Sequence, residues 1–335
     1  ADGFHIEPTE SRADAPLAPL QEKFWLSQTL NPQSAADNIV TASRLRGALS
    51  SRHLWQAFDA LIARHDVLRT SFPVVDGEPR QHVAVDVAFV PVEEDLGACP
   101  PAERDARVRQ RVRVFGSAPF VLDRPPLFRV LLLRLDEDDH VLVTNVHHII
   151  CDIWSSRLLT VETAELYAAA VEGRPARLPA LDVQYMDFAA AHRRWIAGPG
   201  GARQAAYWKE QLAGLVVHEL ATDRPRIPGR GRAASTSRPL SADVLDGVRD
   251  LARAEQATPF VVLLAAFAIV LSRHTGQSEV VVGTPVANRT SAQVEAMAGV
   301  FVNTLVLRAD LPDHATARDL VRRLRQTSLD ALRHQ

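Results

Sequence analysis

Two adjacent histidines, His147 and His148, and an aspartate that follows them, Asp152, are the residues of this sequence best suited to chemistry. Imidazole titrates near neutral pH, so a histidine held at a cleft can take a proton from an amine or hydroxyl nucleophile. Adjacent histidines and an aspartate that only caps a helix also occur by chance. On spacing alone, a catalytic and a purely structural interpretation both stay open.

The local pattern places these residues where a strand ends and a helix begins. Two apolar runs, 127–133 and 140–146, flank an acidic turn and predict a pair of buried strands. Asp152 precedes a long helical pattern that Gly173 ends, so it is placed to act as the N-cap. The histidines are therefore predicted to lie on a loop between two rigid elements, which can reach a cleft.

The composition is that of a globular protein, and the length is sufficient for two packed domains. The chain has 335 residues, 47% hydrophobic and 23% charged, and 38 basic and 40 acidic residues give a formal net charge of −2. This balance favours neither nucleic acid nor an anionic membrane as a partner. The longest apolar run, 260–271, is shorter than the roughly 20 residues that span a bilayer. No secretory leader opens the chain, so a cytoplasmic location is expected.

Other kinds of catalytic site find little support. Cys99 and Cys151 are the only cysteines, too few for a disulfide framework and without the spacing of a metal site. The histidines and Asp152 lack the spacing of a helical zinc site, and no metal is expected. The sequence has neither a GxSxG elbow nor a P-loop. Cys151 has apolar neighbours and is interpreted as core packing rather than as a nucleophile.

The stretch from His147 to Ser155 resembles the HHxxxDG signature of the chloramphenicol-acetyltransferase-like superfamily, above all that of the condensation domains of nonribosomal peptide synthetases. Further stretches resemble that family's other motifs, in the same order along the chain. They are PLQEKFW at 19–25, RHDVLRTSF at 64–72, YMDFA at 185–189, GTPVANR at 283–289 and GVFVNTLVLR at 299–308. Two positions depart from the pattern, because Asp66 stands in place of Glu and Ile153 in place of Gly.

The resemblance implies an α/β protein of two chloramphenicol-acetyltransferase-like lobes, each a mixed sheet with packed helices, which form a V-shaped pseudo-dimer. The N-terminal lobe, residues 1–175, is expected to carry the HHxxxD motif, and the C-terminal lobe spans residues 176–335. Condensation domains normally continue for roughly another quarter of their length. The second lobe is therefore expected to be incomplete here.

The resemblance also implies an acyltransferase that forms an amide bond in the synthesis of antibiotics and other secondary metabolites. The amine of an acceptor aminoacyl thioester attacks the carbonyl of a donor acyl thioester. Both groups are carried on the 4′-phosphopantetheine arms of donor and acceptor peptidyl carrier proteins, and neighbouring synthetase domains are further expected partners. No cofactor is expected to be bound permanently.

By the same resemblance, His148 is the catalytic residue that manages the proton, and His147 is its partner in the site and shapes the loop. Asp152 is expected to pair with an arginine and to act structurally, and Arg289 is the best positional match for that arginine. Ile153, Trp154 and Ser155 are expected to shape the site. An Ile in place of Gly adds bulk and suggests a narrower tunnel or a subgroup with an unusual donor.

Two other functions stay open at this point. An ester-forming or other acyltransferase could use the same histidine on a hydroxyl nucleophile. A catalytically silent condensation-like module could instead recruit a tailoring enzyme or a carrier protein, although His148 is intact. Among relatives that share the fold, heterocyclisation domains have Asp at the first histidine, which His147 contradicts, whereas epimerisation is harder to exclude.

Overall fold

The computed structural model describes residues 4–9, 13–215, 220, 222–225, 235–312 and 315–335, and these form a mixed α/β fold, which confirms the predicted class. The strands are β1 (Ala13–Pro16), β2 (Asn38–Arg46), β3 (Thr70–Ser71), β4 (Val74–Val75), β5 (Glu78–Val83), β6 (Val92–Asp95), β7 (Phe128–Asp136), β8 (Asp139–His147), β9 (Glu279–Val286) and β10 (Asn303–Asp310). The helices are α1 (Pro19–Leu30), α2 (Ser51–Arg64), α3 (Pro101–Gly116), α4 (Ile153–Glu172), α5 (Tyr185–Ala197), α6 (Pro199–Gln211), α7 (Ala242–Ala254), α8 (Pro259–Thr275), α9 (Ala292–Glu295) and α10 (Ala317–Arg333).

The chain divides into two compact units, each of which draws on two stretches of sequence. Unit 1 takes its residues from 1–201 and 289–302, and unit 2 from 202–288 and 303–335. These divisions differ from the lobes expected at residues 1–175 and 176–335. That lobe boundary stays a prediction.

The main sheet of unit 1 explains the two apolar runs of the sequence. Its strand order is β2–β8–β7–β6, with β6 parallel to β7 and the other neighbours antiparallel. Val130 and Leu132 of β7 pack in the core that includes α2 and α4, whereas Leu131 and Leu133 pack against α3. Because helices cover both faces, every position along β7 favours an apolar side chain and the run is nearly continuous.

Helix α4 begins and ends where its sequence signals place it. The Asp152 carboxylate accepts a hydrogen bond from the Ser155 N–H at 2.7 Å, which caps the N-terminus. Gly173 ends the helix in the left-handed conformation, with φ of 62°. A buried carboxylate on α4, that of Glu162, binds the Arg64 Nε at 3.0 Å and the His65 Nε2 at 2.6 Å. Arg64 and His65 of the RHD sequence thus link the end of α2 to α4, whereas Asp66 pairs with Arg69.

Unit 2 is built on the antiparallel pair of strands β9 and β10, against which α8 and α10 pack. In the sequence, Thr258 and Pro259 predict the start of α8 and Gly276 predicts its end. In the structure, Thr258 caps the helix and Gly276 ends it with φ of 70°. The apolar run of residues 299–308 predicts a strand that begins at Gly299, and this prediction was wrong at its start, because β10 begins at Asn303. Residues 299–302 belong to unit 1, where their backbone binds the side chains of α4 and α5.

Among the described residues, no single helix is long and apolar enough to cross a membrane. Helices α7 and α8 reach the length and apolar composition of a membrane span only when they are taken together, and the pair is bent by 107°.

Candidate active site

The two histidines lie where β8 gives way to α4, as the sequence predicts. His147 is the last residue of β8, and a short 3-10 helix, His148–Ile150, follows it. Asp152 then caps α4. Adjacent histidines at a strand end point in different directions, and their surroundings differ accordingly.

His147 is fully buried and both of its ring nitrogens have partners. Its Nδ1 accepts a hydrogen bond from the Ile149 N–H at 3.1 Å, and its Nε2 lies 3.4 Å from the Gln28 Oε1. An Nδ1 that accepts requires the proton on Nε2, so the network assigns the neutral Nε2–H tautomer. The pKa of His147 is lowered to about 4, mainly by burial; Asp37 opposes the shift and His148 contributes to it. The ring is therefore neutral near pH 7.

His148 is only half-buried, and its ring stacks on the ring of Phe24 with centroids 4.5 Å apart and an angle of 17°. Its backbone N–H donates to the Asp37 carbonyl oxygen at 2.7 Å, which holds the turn. The ring nitrogen Nδ1 is buried and has no hydrogen-bond partner among the described residues. Because the residue is partly exposed while Nδ1 is enclosed, the accessible part of the ring lies away from Nδ1, on the side that carries Nε2.

Asp152 is buried, and both of its carboxylate oxygens have partners. Oδ1 accepts from the Ser155 N–H and lies 3.5 Å from the Arg289 Nη2, and Oδ2 accepts from the Phe301 N–H at 2.9 Å. Its own N–H donates to the Gly299 carbonyl oxygen at 3.1 Å. These contacts occupy both carboxylate oxygens within the core, which fits the structural role expected for Asp152.

Arg289 forms the predicted pair with Asp152, and both side chains are nearly inaccessible to solvent. Its guanidinium also donates to the carbonyl oxygens of Val294 and Met297 and lies 4.1 Å above the Phe301 ring. Burial lowers the pKa of Arg289, whereas the nearby Asp152 raises it. An arginine retains its charge at such a site, so the pair holds residues 289–302 against the start of α4.

Ser155 joins the same network through its hydroxyl group. Its Oγ donates to the Gly299 carbonyl oxygen at 2.6 Å and accepts from the Gly299 N–H at 3.0 Å and the Arg289 Nη2 at 2.6 Å. A side chain at Gly299 would have its Cβ only 1.9 Å from the Tyr185 Cδ2. Tyr185 is itself fixed, because its hydroxyl donates to the Val300 carbonyl oxygen at 2.7 Å. The glycine therefore permits the close approach on which the network depends.

Ile153 and Trp154 lie on the accessible side of the start of α4. Ile153 is 81% exposed and Trp154 is 48% exposed. The Trp154 Nε1–H donates to the Glu295 carbonyl oxygen at 3.3 Å, and the Arg289 guanidinium lies 5.7 Å from its ring. That these side chains shape a substrate path stays a prediction.

A cavity of about 300 Å³ lies in unit 1 between the main sheet and helices α2 and α4. Leu142, Thr144 and Val146, alternate residues on one face of β8, line it. Thr41 and Ser43 of β2 and several residues of α4 complete its walls. The strand that ends at the histidines therefore also forms one side of an apolar space with hydroxyl groups.

The structure brings His147, His148, Asp152, Ser155 and Arg289 together in unit 1. It also adds residues that the sequence did not single out as site residues, namely Gln21, Gln28, Gly299 and Tyr185.

Burial raises the pKa of the Cys151 thiol, which therefore stays protonated within the core. In the part of the chain that the structure describes, no group of three or more His, Cys, Asp or Glu residues is arranged to hold a metal ion.

Solved structures of known proteins share this fold. The SgcC5 protein from Streptomyces globisporus, solved with (R)-(-)-1-(2-naphthyl)-1,2-ethanediol and sucrose, matches with a TM-score of 0.80 and 29% identity over 96% of this chain and 74% of that one. The X-domain in its complex with OxyB from teicoplanin biosynthesis matches with a TM-score of 0.82 and 27% identity over 98% of this chain and 72% of that one. These likenesses confirm the chloramphenicol-acetyltransferase-like fold.

Sequence comparison identifies the family. Phosphinothricin tripeptide synthetase PhsB from Streptomyces viridochromogenes is 38% identical over 331 residues, which are 98% of this chain and 28% of that protein. The chain spans between 4% and 30% of the length of such curated relatives. The condensation-domain family model matches residues 11–335. Because that match covers nearly the whole sequence, the chain belongs to the condensation-domain family of nonribosomal peptide synthetases.

Proposed function

We propose that this domain catalyses amide-bond formation between a donor acyl thioester and the amine of an acceptor aminoacyl thioester, with His148 as the catalytic residue. The observation that carries the proposal is the His148 ring. A hydrogen bond from its N–H to the Asp37 carbonyl oxygen fixes the His148 backbone, and the ring stacks on Phe24 while the residue stays partly exposed. A rigid imidazole with an open nitrogen is suited to position an attacking group and to handle one proton.

The reaction forms a C–N bond and breaks the C–S bond of the donor thioester. The amine attacks the carbonyl carbon, and the resulting tetrahedral intermediate carries an ammonium and an oxyanion. His148 Nε2 takes the ammonium proton, and the thiolate leaves and receives a proton in turn. Neutral His147 beside it adds no second positive charge while the His148 imidazolium exists.

The environment of His148 Nδ1 favours an amine over a hydroxyl nucleophile. In hydrolases that activate a serine hydroxyl, a carboxylate behind the histidine stabilises the imidazolium. Here Nδ1 has no partner among the described residues. Because a neutral amine is already nucleophilic, it needs less basic assistance than a hydroxyl group. The ester-forming alternative therefore ranks second.

We further infer that both substrates reach the site on 4′-phosphopantetheine arms of donor and acceptor carrier proteins, and that neighbouring synthetase domains are the other partners. Support comes from the peptide synthetases among the relatives, which are far longer than this chain. The cavity beside β8 offers space for the apolar part of one substrate. We also propose a cytoplasmic location and a role in secondary metabolism, and the synthetase relatives support the second of these.

A silent recruitment module is the other candidate function, and the likeness to the X-domain solved with OxyB favours it. The accessible His148 edge argues for catalysis. The test is to load a donor and an acceptor onto their carrier proteins, add the 335-residue chain or its His148→Ala variant, and follow products by intact-protein mass. Amide product from the unaltered chain alone supports the proposal. Product from both, or from neither, contradicts it.

A further inference from the structure

One face of α1 contacts the three consecutive residues of the catalytic turn. Gln21, Phe24 and Gln28 are spaced by three and four residues, so they share a helix face. They contact Ile149, His148 and His147 respectively. Both glutamines are buried, which is unusual for this residue type and requires that their amides be hydrogen-bonded.

Gln21 holds the far side of the turn. Its Nε2 donates to the Ile149 carbonyl oxygen and to the Gln81 Oε1, each at 3.3 Å, and its Oε1 accepts from the Ala18 N–H at 3.0 Å. Gln81 is in turn fixed, because its Nε2 donates to the Pro16 carbonyl oxygen at 2.9 Å. The Gln21 amide therefore has one orientation, and it fixes the backbone one residue after His148.

Gln28 holds the near side through His147. Its Nε2 donates to the carbonyl oxygens of Pro32 at 3.0 Å and Phe120 at 3.4 Å, which identifies the amide end that bears hydrogen. The other end of the amide is the oxygen Oε1, which can only accept a hydrogen bond, and it faces the His147 Nε2. The proton of His147 is thereby directed to Nε2, and Nδ1 is left to accept from the Ile149 N–H.

We propose that the α1 face formed by Gln21, Phe24 and Gln28 positions the catalytic turn, and that Gln28 is a positioning residue that keeps His147 in the tautomer on which the Ile149 backbone bond depends. The inference rests on the role proposed for His148. Phe24 lies between Gln21 and Gln28 on this helix face, and it completes the arrangement because its ring stacks on the ring of His148.

Protonation of His147 would break this arrangement. A proton on Nδ1 would face the Ile149 N–H, and two donors would oppose each other. The charged or titratable groups that act on His147 are Asp37, which favours the charged ring, and His148, which disfavours it. On α1 it is the neutral Gln28 amide that faces the ring. A carboxylate at that position would stabilise the doubly protonated form.

The test compares two changes at one position in the 335-residue chain. Gln28→Glu is nearly isosteric and places a charge beside the His147 ring, whereas Gln28→Met removes the acceptor without a charge. Leu26→Ala, which alters an exposed residue of the same helix, is the control. The readouts are the ring ¹⁵N shifts of His147 during a pH titration, and the pH dependence of kcat and KM for condensation.

With Gln28→Glu, we expect the pKa of His147 to rise and kcat to fall roughly 10- to 100-fold below that pKa, because the turn beside His148 is displaced. Activity should recover at higher pH, where the ring again carries one proton, and KM should change little. Gln28→Met should lower kcat to a similar extent at every pH, without the additional loss at low pH that is expected for Gln28→Glu.

A Gln28→Glu variant with an unchanged ¹⁵N titration and pH–rate profile would overturn the inference. Equal losses at every pH in both variants, together with a lower unfolding midpoint, would also overturn it, because they would show a merely structural glutamine. Failure of the proposed function is recognised separately. In that case the unaltered chain yields no amide product, while the ¹⁵N titration still reports whether Gln28 controls the tautomer.

Discussion

Within the segment from His147 to Ser155, the side chains of Asp152 and His148 differ in burial and in hydrogen bonding. At the Asp152 end, the carboxylate is buried and its contacts include two backbone N–H groups and an arginine. At the His148 end, the ring is partly accessible and one nitrogen lacks a partner among the described residues. The two ends therefore differ in accessibility, and on this difference we base the proposal that Asp152 acts structurally and His148 chemically.

The comparison predicts first that His148→Ala separates activity from stability. Removing the catalytic imidazole should lower kcat about 10²- to 10⁴-fold. The free energy of unfolding should change much less, because the ring is only half-buried. Single-turnover condensation assays and urea unfolding measure the two quantities on the same preparations. A large loss of stability would show that both ends are structural.

Asp152→Ala should give the reverse result. It leaves the buried Arg289 charge and the Phe301 N–H without their partner, and breaking such a pair costs about 3–5 kcal/mol. Asp105→Ala, which removes the exposed carboxylate 3.8 Å from Arg44, is the matched control and should cost about 0–1 kcal/mol. A stable but inactive Asp152→Ala protein would instead assign this carboxylate a direct chemical role.

His147 should make the fold sensitive to acid. Its folded pKa of about 4 lies below the ordinary value of 6.5, so the unfolded chain binds the proton first as the pH falls. Its contribution is complete above pH 6.5 and is lost as the pH falls towards 4, about 3 kcal/mol in all.

His147→Asn keeps an acceptor near the Ile149 N–H and removes the titration. The fall in unfolding free energy between these pH values should therefore be smaller in this variant, as measured by urea unfolding. His274→Asn, at an exposed histidine, should keep the slope of the unaltered chain. Equal slopes in all three proteins would mean that the ring is not held neutral.

Gly299→Ala tests how tightly the Asp152 end is packed. The added methyl would overlap the Tyr185 ring, and overpacking of this kind costs about 1–3 kcal/mol. Gly247→Ala in α7 has no neighbour within 4 Å and should be neutral or stabilising by up to about 1 kcal/mol. Thermal unfolding of both variants gives the comparison, and equal midpoints would contradict it.

Ile153→Gly should have the smallest effect on stability, within about 1 kcal/mol, because the side chain is 81% exposed. If its bulk limits the donor, the variant should turn over larger donors better relative to small ones. Competition between donors of different size, read by product mass, measures that preference. Val161→Ala, at another exposed position of α4, should leave the preference unchanged, and an unchanged preference in Ile153→Gly would refute the idea.

Local signals in the sequence were sufficient for the elements that carry the site. The apolar runs of β7 and β8, the Asp152 cap and the Gly173 stop depend on neighbours within a few residues, and each is found in the structure. Arg289 was identified from the GTPVANR motif, and its contact with Asp152 is present. Periodicity and motif order were therefore good guides to what lies next to what along the chain.

The missed residues depend on contacts that local patterns do not encode. Glutamines in a helix usually face water, so nothing in the sequence of α1 marks Gln21 and Gln28 as buried. Gly299, which the apolar run of residues 299–308 predicts to begin a strand, lies before β10 instead. Only the packing of Tyr185 against it shows why that backbone leaves the strand pattern.

The Asp152 carboxylate and the Phe301 amide that it binds are 149 residues apart. Contacts of such long range form slowly, since the intervening chain must first lose its conformational freedom. During translation, the ribosome must produce the chain at least as far as Phe301 before this hydrogen bond can exist. A synthetase hybrid joined between α6 and β9 would take α4 from one parent and residues 289–302 from the other. Such a junction should therefore be moved, so that both segments come from the same parent and the Asp152–Phe301 hydrogen bond can form.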